Sequence, residues 1–120
     1  MTTQQIASRL VELCQHGEFE KAQLELYSDD VKSIEPYDTP EYPKLTEGKD
    51  KVFAKTKQFD ESVKETHAIS VSDPIVATHS FAVKLTMDLT MKKNNERMNM
   101  SELCLYKVKD GKVVSEEFFM

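Results

Sequence analysis

The chain has 120 residues, 39% of them hydrophobic and 31% charged, which suits a folded domain and is too apolar for a disordered one. At this length roughly two thirds of the unfolded chain's surface can be buried, enough for one core with room for one pocket, so a single domain over residues 1–120 is expected. The formal charge of -5 argues against a nucleic-acid partner, because binding a phosphate backbone needs clustered Lys and Arg that this sequence lacks.

Ile6, Leu10, Leu13 and Cys14 recur at helical spacing, Thr2 and Gln5 can form a capping box, and Gly17 ends the segment. A second short helix is expected from about Glu18 to Tyr27, with Phe19, Ala22 and Leu26 on one side. The run VKSIE reads as a short strand that Pro36 cuts off. The following stretch, to Pro43, holds three of the four prolines and should cross the rim of the fold. After Gly48, the spacing of Val52, Thr56, Phe59 and Val63 makes a third helix.

From about Glu65 to Phe119 the apolar residues alternate in long segments separated by turn signals at SDP, KKNNER and KDGK. This pattern predicts an antiparallel meander burying one face against the helices. If Asn94 and Asn95 form a two-residue turn, Met91 faces Met98, Leu89 faces Met100, Met87 faces Glu102, Leu85 faces Cys104 and Val83 faces Tyr106. A type I′ turn at Asp110 and Gly111 then pairs Val108 with Val113, Tyr106 with Ser115, Cys104 with Glu117 and Glu102 with Phe119. Two carboxylates, Glu102 and Glu117, thereby land on an otherwise apolar face, while Leu103, Leu105 and Phe118 are assigned to the opposite one.

Cys14 and Cys104 belong to no metal-spaced cluster and read as reduced, buried thiols of a cytoplasmic protein. The N-terminal residues hold no signal-like apolar stretch, and no run approaches the ~18 residues of a membrane helix. Glycine-rich phosphate loops, metal-ligand clusters and Ser/His/Asp constellations are missing, so neither cofactor nor metal is expected.

Several side chains could carry chemistry. Glu35 is either a solvated strand end or a carboxylate held for proton transfer, and Glu102, between Met100 and Cys104, needs a partner, a proton or a function. Lys55 could meet Glu35 from the third helix. His67 and His79 share the apolar parity of their strands, and Tyr106 could donate a hydrogen bond at the pocket edge. Phe59, Met87, Met100 and Cys104 complete the candidate lining, with Glu117 across the hairpin.

The segments LYSDDVKSIEP, EGKDKVFAK, MDLT and YKVKDGKVVSEEFF, in that order and spacing, resemble the SnoaL-like branch of the nuclear transport factor 2-like superfamily. The resemblance covers nearly the whole chain. It implies an α+β cone in which a curved antiparallel sheet wraps around three helices of the N-terminal half, leaving an interior pocket for a small, largely apolar molecule. In the related ketosteroid isomerases a general-base aspartate occupies the acid position of an acid-Pro step, here Glu35-Pro36. The isomerases' first-helix tyrosine falls near Leu10 or Val11 in this chain, and their second acid falls on Cys104, which leaves Glu102 and Glu117 as the nearby carboxyls.

The expected function is therefore binding of a small apolar molecule, with cofactor-independent isomerase- or cyclase-type proton transfer by Glu35 or Glu102 left open. The alternative is a non-catalytic dimerisation module. In either case the resemblance implies a homodimer through the outer sheet face, while charge and the lack of long apolar runs predict no nucleic-acid or membrane partner.

Overall fold

The computed structural model describes all residues from 1 to 120. Helix α1 (Thr3–Gln15) opens with the Thr2/Gln5 capping box, Thr2 Oγ1 accepting from Gln5 N and Gln5 Oε1 from Thr2 N. It buries Ile6, Leu10, Leu13 and Cys14 on one face. Gly17, at φ +72°, then reverses the chain, with Gly17 N donating to Cys14 O and Glu18 N to Leu13 O. These are the paired closing bonds of a left-handed helix end, a backbone conformation that glycine adopts at little cost. Helix α2 (Phe19–Leu26) runs directly into strand β1 (Tyr27–Ile34), which is longer than the sequence suggests.

The proline-rich segment connects β1 to the short strand β2 (Leu45–Glu47), and Gly48 leads into α3 (Lys49–Ser62). Strands β3 (Val63–Val71), β4 (Ile75–Val76), β5 (Ser80–Met91), β6 (Arg97–Lys109) and β7 (Lys112–Phe119) follow. They form one sheet in the order β2-β1-β7-β6-β5-β3, with β4 also on β5. All neighbours are antiparallel except β1 and β7, which are parallel. The expected antiparallel sheet is therefore mixed, because the chain's first strand returns beside its last.

One face of this curved sheet holds Phe81, Val83, Leu85, Met87 and Leu89 of β5 and Cys104, Tyr106 and Val108 of β6, all buried. Against it lie α1, packed on β3 to β5, and α3, packed on β1 and β2, with α2 between the two helices. No helix is long and apolar enough to cross a membrane.

Both long hairpins differ in register from expectation. Between β5 and β6 the pairs are Leu89↔Met98, Met87↔Met100, Leu85↔Glu102, Val83↔Cys104 and Phe81↔Tyr106, two residues from the expected set. Asn94 and Asn95 do take left-handed backbone, at φ 58° and 51°, but as part of a four-residue connection closed by Met91 N donating to Glu96 O. A two-residue error preserves the faces, so Glu102 still points inward.

The β6–β7 hairpin has the expected Asp110-Gly111 turn and the Val108↔Val113 pair. Beyond them the register shifts between Lys107 and Val108, giving Tyr106↔Glu116, Leu105↔Glu117, Cys104↔Phe118 and Leu103↔Phe119. A one-residue bulge exchanges the two faces of a strand. Glu116 and Phe118 therefore face inward, and Glu117 lies on the outer face with Leu103, Leu105 and Phe119.

Candidate functional site

Sheet and helices enclose a cavity of about 790 Å³, 20 of whose 34 lining residues are hydrophobic. Its walls include Phe19 of α2, Phe59 of α3, Ile69 of β3, Leu85 and Met87 of β5 and Met100 of β6. A volume of this size suits a small organic molecule, and the lining requires most of that molecule's surface to be apolar.

At one end the wall becomes polar. β1 alternates so that Val31 and Ser33 point inward, both fully buried, and Glu35 continues that parity just beyond the strand. The proline-rich segment is tied down where Glu35 N donates to Lys44 O, and it contributes Pro36, Tyr37, Thr39 and Tyr42 to the mouth. Helix α3 brings Lys55 to the same place, three residues after the buried Val52 and four before Phe59, on one face. Lys55 Nζ donates to Ser33 Oγ at 2.6 Å and to Glu35 Oε1 at 3.2 Å, and stands 5.8 Å from the ring centroid of Phe118.

Glu116, 3% exposed, anchors this pole from β7. Tyr27 Oη donates to its Oε1 and Ser33 Oγ to its Oε2, the latter at 2.6 Å. Ser33 thus accepts from Lys55 and donates to Glu116, linking the lysine to both acids. The parallel pairing of β1 with β7 sets Ser33 directly beside Glu116. Burial pushes the Glu116 carboxyl up from its ordinary value, against the opposing pull of its Ser33 and Tyr27 hydrogen bonds and of Lys55.

Glu102 lines the cavity from the neighbouring strand β6, and its only side-chain hydrogen bond is the Cys104 thiol, at 3.9 Å from Oε1. Burial first, then the charges of Glu35 and Glu116, push its carboxyl up to about 7. Four residues farther along β6, Tyr106 stacks on Phe81 with centroids 4.9 Å apart, and burial keeps its phenol well above its ordinary value, hence a donor.

Of the candidates drawn from the sequence, Glu35, Lys55, Phe59, Met87, Met100, Glu102 and Tyr106 line the cavity. Four others lie outside it. Glu117 is carried to the outer face by the β6–β7 bulge. His67 sits in a bulge between Thr66 and Ala68, where its ring bonds Thr90 Oγ1 at 2.7 Å and approaches Glu65. His79 is exposed in the turn before β5, its carbonyl accepting from Val108 N. Cys104 is fully buried beneath the wall, where burial raises its thiol.

Sequence reasoning missed Glu116, Tyr27, Ser33 and Gln23. A signal for Glu116 did exist: Val113 and Phe118 are five residues apart, an odd interval that one strand face can hold only with a bulge. No grouping of three or more His, Cys, Asp or Glu side chains is arranged to hold a metal ion.

A family model for the SnoaL-like domain matches residues 1–120. Among solved structures, one from Mesorhizobium loti, provisionally named a SnoaL-like polyketide cyclase [carbohydrate phosphatase], is 33% identical over the whole of both chains, with a TM-score of 0.92. An NTF2-like protein of unknown function from Burkholderia pseudomallei is 17% identical, covering 100% of this chain and 92% of that one, with a TM-score of 0.79. A protein with a ketosteroid isomerase-like fold from Catenulispora acidiphila, solved in complex with trimethylamine, is 10% identical over 99% and 87% of the two chains, with a TM-score of 0.74. Among curated proteins no significant match is found.

Proposed function

Since the chain belongs to the SnoaL-like domain family, we propose that it takes a small, largely apolar molecule into its cavity and moves a proton next to a carbonyl on it, without a cofactor. The observation that carries this reading is Glu102, a carboxyl without a cationic hydrogen-bond partner, set in an otherwise apolar strand face of the cavity. A carboxyl held near 7 is present in both protonation states at neutral pH, the condition for giving and retrieving a proton in one cycle.

In this scheme neutral Glu102 donates to the ligand's carbonyl oxygen. Glu35, whose Oε1 is occupied by Lys55 while Oε2 is free, takes the proton from the adjacent carbon. The resulting enol is reprotonated at a carbon of the same ligand, so acid and base return to their starting states. Lys55 positions Glu35, and Glu116 holds Lys55 through Ser33.

The test is deuterium incorporation beside the carbonyl of 1-tetralone in D2O, followed by mass spectrometry, with thermal shift reporting binding. The protein should accelerate exchange over buffer, and Glu35→Gln and Glu102→Gln should each lose about 100-fold or more of that acceleration while still binding the ketone. Exchange at the parent rate in both variants sinks the catalytic reading.

The second reading, a dimerisation module, is favoured by Leu103 (55% exposed) and Phe119 (45% exposed), which pair on the outer face beside Leu105. We propose a homodimer through this face, compatible with the pocket because the two use opposite sides of the sheet.

A further inference from the structure

We infer that the cavity has a second polar subsite, Gln23 of α2 with Thr56 of α3, which holds a hydroxyl or N–H donor of the ligand. The inference rests on the pocket reading above and names a feature of the molecule that fits it.

Gln23 is 5% exposed and lines the cavity, as does Thr56. Its amide is half satisfied: Nε2 donates to Thr56 Oγ1 at 2.7 Å, while Oε1 is buried with no hydrogen-bond partner. Buried side-chain carbonyls are nearly always paired, so an orphaned one on a cavity wall marks the place of a missing donor. An apolar residue of similar shape, such as Met, would fill the position without that penalty. Asp60, one helical turn beyond Thr56, also lines this wall.

The subsite neighbours the acid pole. Lys55 and Thr56 are consecutive on α3, which turns them about 100° apart around the helix axis. Lys55 reaches Ser33 and Glu35, and Thr56 reaches Gln23. Glu102 and Gln23 line the same cavity, so one molecule filling it can present a carbonyl to the first and a hydroxyl to the second. The ligand class that follows is an apolar ketone with a donor on the far side of its ring system.

The experiment is isothermal titration calorimetry at pH 7.5 with 1-tetralone, its 6- and 7-hydroxy derivatives and the matching methoxy ethers. The unaltered protein is compared with the double variant Gln23→Met, Thr56→Val, which removes both hydrogen-bonding partners together. One hydroxy derivative should bind the unaltered protein roughly tenfold tighter than 1-tetralone, an advantage that the ethers lack and the double variant abolishes. Without ligand, the double variant should melt at the same temperature or higher.

If 1-tetralone binds but neither hydroxy derivative binds more tightly, the subsite falls and the pocket reading stands. If no compound binds the unaltered protein, the pocket reading falls and the subsite with it. An ether that binds as tightly as its hydroxy partner overturns the donor assignment, and a ligand-free loss of more than about 4 °C in the double variant makes Gln23 a structural residue instead.

Discussion

Glu102 couples the stability of the protein to pH. Its carboxyl ordinarily ionises near 4.5 and does so near 7 in the folded chain, so between those values the native state holds a proton that the unfolded state releases. The stabilising contribution is complete below about pH 4.5 and is lost as the pH rises through about 7, amounting to on the order of 2–3 kcal/mol after discounting for its residual solvent contact. Melting temperatures recorded from pH 5.5 to 8.5 should therefore fall, and Glu102→Gln should flatten that slope. Lys55 acts in the opposite sense, since its charge lowers the Glu102 carboxyl. Lys55→Met should accordingly move the Glu102 titration above 7, as followed by 13C NMR of the carboxyl carbon. Glu116→Ala should destabilise the fold by about 2–4 kcal/mol in urea unfolding, because it leaves a void and orphans the Tyr27 and Ser33 hydroxyls. At this scale part of the cavity wall was legible in the sequence: strand parity turned Glu102 inward, and the acid-Pro step singled out Glu35, with Lys55 of the third helix as its possible neighbour. Gln23 was not legible, because a polar residue on a short amphipathic helix looks solvated until a second helix is packed over it.

Turns and bulges decide which face of each strand meets the cavity. The left-handed close of α1 fixes how α2 departs, and a Cβ on Gly17 would meet Ile69 Cδ1 at 3.4 Å while the backbone stays at φ +72°. Gly17→Ala should therefore cost about 1–2 kcal/mol, measured by chemical unfolding, mostly from backbone strain. Helix periodicity, the capping box and the Asp110-Gly111 turn were all readable, being local patterns of a few adjacent residues. The two register differences arise where local pattern is degenerate. KKNNER accommodates either a two-residue turn or the four-residue connection observed, and both keep the faces. SEEFF offers a glutamate and a phenylalanine at each parity, so a single bulge substitutes Glu116 for Glu117 and turns Phe118 inward without any apolar residue being misplaced. His67 failed for the same reason in β3, where a bulge interrupts the alternation that aligned it with Ile69.

Across the whole molecule, the sheet separates two surfaces, a cavity face and an outer face bearing Leu103, Leu105 and Phe119. The double substitution Leu103→Lys, Phe119→Lys should yield a monomer in sedimentation velocity experiments while leaving ketone binding within about twofold, since neither residue lines the cavity. The α+β class and helix order followed from periodicity, but the parallel β1–β7 edge did not, because no local sequence signal reports a pairing between strands so far apart. That edge also ties function to the order of folding. The hydrogen bonds from Tyr27 and Ser33 to Glu116 span 89 and 83 residues, so the acid pole closes only through some of the most distant contacts the chain makes. Contacts of such separation carry a large loop-closure cost and favour slow, late assembly. On the ribosome, β1 must wait for β7 to emerge before Tyr27 and Ser33 can meet Glu116, so the acid pole stays without its buried anchor until that strand is made.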